Sequence, residues 1–139
     1  MTKTVKIAWL SRHKPLKSEI RYLRERLGNI KIVWVRDRIP TAEDAMKIIE
    51  EIGAEYVVPI LPMSFVMHLV EHANGKKIKV LRPKMRLLHT CDGGCIEYNP
   101  DTDSLVRTVN YRTGEVFYRH YRFEEFTIIK GFKIDEVPL

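Results

Sequence analysis

The chain has 139 residues, 45% hydrophobic and 30% charged, the balance of a soluble globular protein long enough to enclose a core without staples. Lys and Arg outnumber Asp and Glu by 24 to 18, a net charge of +6, so the surface favours anionic partners, nucleotides as well as nucleic acids. Lys3 and Lys6 break up any signal-peptide core, and no run approaches the roughly 20 apolar residues of a membrane span, so a cytoplasmic protein without a membrane partner is expected.

In chain order, Val5 to Leu10 is an apolar run that reads as a buried strand, cut off by Ser11, Arg12 and His13. Pro15 suits a first helical turn, and Leu16, Ile20, Leu23 and Leu27 form one stripe before Gly28 and Asn29 stop the helix. Ile30 to Val35 is a second strand that ends in Arg36, Asp37 and Arg38. Thr41 precedes Ala42, Glu43 and Asp44 as a helix N-cap, with Ala45, Ile48, Ile49 and Ile52 as the buried stripe and Gly53 as the stop. Tyr56 to Leu61 makes a third strand, and Pro59 within it points to an edge or a bulge. Pro62, Met63 and Ser64 lead into a third helix through Phe65, Leu69 and Ala73, ended by Asn74 and Gly75. A fourth strand, Ile78 to Leu81, runs into Arg82 and Pro83.

Beyond Met85 the alternation gives way to short β-rich runs: Met85 to Thr90, Cys95 to Tyr98, Leu105 to Tyr111, Val116 to Phe123 and Phe126 to Ile134. The expected fold is therefore α/β: a Rossmann-like, mostly parallel sheet with helices on both faces, followed by an antiparallel β-rich C-terminal extension. No linker interrupts it, so a single domain of residues 1–139 is expected, with 1–84 the βαβ part and 85–139 the extension.

The Gly-x-Gly-x-x-Gly turn of a dinucleotide site is missing, which argues against NAD or FAD, and no cofactor is expected. The first turn offers Ser11, Arg12, His13 and Lys14 instead. Arg12 can meet a phosphate as a planar fork, Ser11 supplies a hydroxyl, and His13 can move a proton near neutrality. Arg12 and His13 are thus the candidate catalytic residues, against the alternative of a solvated loop that only caps the sheet. Arg36, Arg38, Ser64 and Arg82 also follow strands and would face the same end, completing the candidate ligand-binding set, although Ser64 taken alone reads as a helix cap.

Two metal-like patterns stand outside this set. His68-Leu69-Val70-Glu71-His72 has the spacing of an inverted zinc-protease motif, but no third ligand can be assigned, and two His bordering an apolar stripe are ordinary. His89, Cys91 and Cys95 would need His120 to complete four zinc ligands. Cys91 and Cys95 instead flank the turn Asp92-Gly93-Gly94 across a hairpin, able to form a disulfide in a hyperthermophile, with free thiols as the default and no metal expected. The Val116 to Phe123 run interleaves aromatic and basic side chains, which suits either a sheet face or single-stranded nucleic acid, with Arg119, Tyr121 and Arg122 as the contacts. That gives the alternative function, a non-catalytic module that binds nucleic acid or protein.

Ser11-Arg12-His13 after the first strand, with Val57-Val58-Pro59-Ile60-Leu61-Pro62-Met63-Ser64 after the second helix, resembles the compact Rossmann-like domains associated with CRISPR systems and viruses, relatives of the CARF domains. The resemblance spans residues 5 to 82 and is one of architecture. It implies a homodimer that binds a cyclic oligonucleotide at the strand ends, some members cleaving it, with Ser11, Arg12 and His13 as the ligand loop and Ser64 in support. The abundance of Lys, Arg, Glu and Ile fits a thermophilic source, and the resemblance implies an archaeal or viral one.

Overall fold

The computed structural model describes residues 3–139. Six strands and three helices follow one another as β1 (Val5–Leu10), α1 (Lys17–Leu27), β2 (Ile30–Val35), α2 (Ala42–Ile52), β3 (Tyr56–Pro59), α3 (Met63–Asn74), β4 (Lys79–Cys91), β5 (Asp103–Val109) and β6 (Val116–Ile129). The fold is α/β, and hydrogen-bonded neighbours give the strand order β2-β1-β3-β4-β6-β5. The expected mostly parallel sheet is met in part. β1 pairs in parallel with β2 and β3, and β3 with β4, whereas β5 and β6 are antiparallel, so the sheet is mixed. Among the described residues no helix is long and apolar enough to cross a membrane.

By their contacts the described residues form two compact units, one of 3–14, 28–82 and 128–139, the other of 15–27 and 83–127. In the first, Ala8 and Leu10 of β1, Val57 of β3 and Val80 of β4 share a core with Ala45, Met46 and Ile49 of α2 and Val66, Leu69 and Val70 of α3. Alternate residues of a strand point to one face, so α2 and α3 cover the same face, while Ile7, Trp9 and Val58 on the opposite face are buried as well. Burial of side chains such as Ile49 and Leu69, both 0% exposed, contributes about 1.5–3 kcal/mol each. Thr41 caps α2 as anticipated, its hydroxyl accepting from the Asp44 amide at 3.1 Å, and Gly53 ends it at φ 75°, a left-handed conformation suited to glycine. Pro59 does not mark an edge or a bulge. It is the last residue of a strand flanked on both sides, and Ile60 N–H takes over the pairing with Leu10 O at 2.9 Å.

In the second unit Tyr22 of α1 meets Phe123 and Phe126 of β6 at ring-centroid distances of 5.8 and 5.7 Å. The sequence places breaks where this unit has long strands. β4 does not stop at Leu81 but continues through Pro83 to Cys91, and Val116 to Ile129 is one strand although Glu124 and Glu125 interrupt its apolar pattern. Both glutamates face basic partners on β4: Lys84 Nζ lies 3.8 Å from Glu125, and Arg86 Nε 3.4 Å from Glu124. Such pairs keep exposed polar residues compatible with a ladder. Cys95 to Tyr98, expected as a strand, is a turn.

Candidate ligand-binding site

Because β1, β2 and β3 are parallel, their C-terminal ends share one side of the sheet. The chain passes from β1 to β2 on one flank and then crosses to β3 on the other, so the strand order reverses at β1, and open α/β sheets hold ligands in the crevice at such a point. A cavity of about 660 Å3 lies there, lined by Leu10 to His13 after β1, Val35 to Pro40 after β2, and Ile60, Leu61, Pro62 and Phe65 after β3.

Two indoles shape its first loop. Trp9 Nε1 donates to His13 O at 3.0 Å, and Trp34 Nε1 donates to Ser11 O at 2.8 Å. The Ser11 hydroxyl accepts from His13 N–H at 3.1 Å and is buried, so Ser11 forms the loop's own turn while Arg12 and His13 are exposed. Arg36 stacks on Trp34, its guanidinium carbon 4.8 Å from the ring, and Lys14 Nζ lies 6.0 Å from the same ring. Among the described residues, Arg12, Arg36 and Arg38 form no ion pair with a carboxylate within 4.0 Å, although Asp37 stands between two of them in sequence. Apolar groups from Leu10, Val35, Ile39, Ile60, Leu61 and Phe65 complete the wall.

The structure brings together Ser11, Arg12, His13, Arg36 and Arg38, all cavity-lining. Lys14 sits beside them over Trp34 and does not line the cavity. Ser64 and Arg82 do not join. Ser64 is an exposed residue of the first turn of α3 that neither lines the cavity nor caps the helix, whose N-cap is Pro62. That helix starts with no side-chain cap, so this end of the cavity offers backbone polarity in place of a hydroxyl. Arg82 is an exposed residue inside β4, because the strand does not end where a proline suggested it should.

The first turn of α1 is occupied locally: Leu16 N–H donates to Glu19 Oε1 at 2.8 Å and Ser18 N–H to Asp101 O at 3.0 Å. Glu19 is buried, and desolvation pushes its carboxyl up to about 7. His68 is exposed, and His72 lies 3.3 Å from Glu43, so the His-Leu-Val-Glu-His pattern is a helix surface with one cross-helix ion pair.

A second group of polar residues went unrecognised in the sequence. Asp103, at the start of β5, is 1% exposed and His120 of β6 is 0% exposed. The Asp103 carboxylate accepts five hydrogen bonds: from Arg122 Nε (2.8 Å) and Nη2 (3.1 Å), His120 Nε2 (2.6 Å), the Thr102 hydroxyl (2.7 Å) and Asn99 N–H (3.0 Å). Arg122 foremost holds the Asp103 carboxyl far below the usual carboxylate range, against the opposing effect of burial. Arg122, a candidate nucleic-acid contact, therefore has its fork committed inside the protein. Arg119 is exposed and Tyr121 partly so, the former with its guanidinium carbon 6.0 Å from the Phe117 ring. Cys91 and Cys95 are joined as a disulfide, which overturns the expectation of free thiols. The turn between them brings the two half-cystines to a Cα separation of 6.0 Å, within ordinary disulfide reach. The signal that pointed to Asp103 was present in outline, since His120 and Arg122 are i and i+2 on a strand and share a face, but their partner lies 17 or more residues away.

Comparison with known proteins finds no matching family model, no matching curated protein and no matching solved structure.

Proposed function

We propose that this chain is a small Rossmann-like protein that binds a phosphate-bearing nucleotide ligand, such as a cyclic oligonucleotide, at the C-terminal ends of β1, β2 and β3. The observation that carries this reading is the composition of the cavity wall: guanidinium groups of Arg12, Arg36 and Arg38 without carboxylate partners among the described residues, beside the uncapped start of α3, around an apolar floor. Cations and a helix N-terminus attract phosphate, while Ile39, Ile60, Leu61 and Phe65 offer a base an apolar surface. A loop tied down by two indoles keeps Arg12 and His13 placed before a ligand arrives, which lowers the ordering cost of binding.

If the ligand carries a ribose 2′-hydroxyl beside a phosphodiester, the same residues suit its cleavage. His13 would accept the hydroxyl proton as that oxygen attacks phosphorus to form the cyclic phosphate, Arg12 would stabilise the charge that builds on the phosphoryl oxygens, and the 5′ oxygen would leave as its bond to phosphorus breaks, taking a proton from water. The resemblance to CARF relatives adds a homodimer to this reading, which light scattering after size exclusion would test.

Titration calorimetry and thermal shift with a mononucleotide, a cyclic oligoadenylate and single-stranded RNA test the proposal. Arg12→Ala combined with Arg36→Ala should weaken the ligand that binds by about 100-fold or more, each lost charged hydrogen bond being worth roughly 1.5–3 kcal/mol. No stabilisation by any phosphate ligand would refute it. Binding that survives this double variant and is lost in Tyr121→Ala would move the function to the aromatic face of β6.

A further inference from the structure

The cluster at the Cys91–Cys95 turn has the composition and the supporting contacts of a metal centre. His89 and Cys91 are i and i+2 on β4, so their side chains leave the same face of the strand. His120 approaches from β6, and the ligand atoms of His89, Cys95 and His120 all lie within 4.8 Å of one another. Cys91 is bonded to Cys95, so its sulfur belongs to the same group. Two imidazoles and two cysteine sulfurs are the donor set of a closed tetrahedral zinc site.

The hydrogen bonds point the same way. Asp103, paired with the Arg122 fork, holds His120 Nε2 at 2.6 Å from Oδ2. The other ring nitrogen of His120, Nδ1, is thereby turned toward His89 Nε2, 2.8 Å away. A carboxylate that fixes the tautomer of a buried histidine and aims its other nitrogen at a second histidine and a sulfur is the outer-shell arrangement of metal-bound histidine. Tetrahedral ligands at zinc bond lengths are about 3.3–3.8 Å apart, so the two ring nitrogens, now 2.8 Å apart, would open by about half an ångström and the Cys95 sulfur, within 4.8 Å of them, would close by up to about 1 Å. Charge also balances, because two thiolates neutralise Zn2+ and Arg122 already neutralises Asp103.

We propose that His89, Cys91, Cys95 and His120 bind one Zn2+ when the cysteines are reduced, with Asp103 as the residue that positions His120. Disulfide and metal site are then alternative states of one cysteine pair. A phosphine reductant cleaves the S–S bond, water supplying two thiol protons and the oxygen that leaves as phosphine oxide. Zn2+ next displaces those two protons as both Zn–S bonds form, so metal uptake releases two protons from the thiols. This site is independent of the strand-end cavity, and its failure would leave that reading untouched.

Cobalt(II) serves as the probe. The full chain, reduced with a phosphine under anaerobic conditions, should take up one Co2+ with the visible bands of a tetrahedral ion and thiolate-to-metal absorption, and equimolar Zn2+ should abolish both. Asp103→Asn should weaken the site by about 10–100-fold while leaving the thiolate absorption in place at saturating Co2+. A reduced chain that has lost secondary structure and regains it on addition of Zn2+ would support the same conclusion. A reduced, folded chain that takes up no Co2+ would overturn the proposal. So would uptake unchanged in Cys95→Ser or after both thiols of the reduced chain are alkylated.

Discussion

Replacement of Asp103 by alanine is the sharpest perturbation of the second unit. The carboxylate is 1% exposed and accepts from His120, Thr102, the Asn99 amide and both ends of the Arg122 fork. Truncation leaves His120, 0% exposed, with a buried N–H and no acceptor. A buried donor left without an acceptor costs about 1–3 kcal/mol. Arg122 is left out of that figure, because its side chain is 38% exposed and can rehydrate. With a urea dependence of about 2 kcal/mol per molar, the unfolding midpoint should fall by roughly 0.5–1.5 M. Far-UV circular dichroism is the appropriate signal, since Trp9 and Trp34 both lie in the other unit, and both proteins are compared with the disulfide intact. The pH dependence gives a second constraint. The Asp103 carboxyl is depressed in the folded state, so its contribution is complete above the unfolded value near 3.8 and fades as pH falls toward the folded one. The gap between the parent and Asp103→Ala should therefore be constant from pH 5 upward, as far as this carboxyl sets it, and narrow below about pH 4. A midpoint change under about 0.5 M at neutral pH would refute the reasoning.

Glu19 works in the opposite sense. Its carboxyl is raised to about 7 from 4.5, so between those values the folded chain holds a proton that the unfolded chain has released, and stability falls as pH rises through that window. Glu19→Gln should remove up to about 1.4 kcal/mol per pH unit of that slope, seen as a Tm that no longer declines from pH 5 to 7. Trp34→Phe deletes the bond to Ser11 O, and at about 1 kcal/mol it should speed amide exchange at Ser11 and His13 by about fivefold, measured by deuterium uptake. Gly53→Ala forces a Cβ into a left-handed position that is otherwise roomy, with only Lys6 Nζ at 4.0 Å, so it should cost about 1–2 kcal/mol in chemical denaturation. An unchanged midpoint would mean that the C-cap relaxes.

The helices were legible because each carries its own signals: Thr41 and Gly53 bracket α2, and Asn74 and Gly75 follow the stripe of α3. Strand limits were less so. Pro83 and the Glu124–Glu125 pair look like breaks in isolation, but Lys84 and Arg86 supply partners across the sheet. Within the candidate site, Arg12, His13, Arg36 and Arg38 were found because they follow strands whose direction the βαβ alternation implies. Arg82 was misplaced by the same logic, as β4 runs nine residues past it to Cys91.

The sequence alone determined what depends on neighbours a few residues apart: the helical stripes and caps, the first parallel strands, and the polar loop that follows each of them. Tertiary structure decided what depends on residues distant in the chain. It turned Ser11 inward under two tryptophans, committed Arg122 to Asp103, and brought His120 to His89 and the Cys91–Cys95 pair. Those outcomes follow from which strands become neighbours, and a pattern of alternating residues states which face a side chain takes but not what stands opposite it.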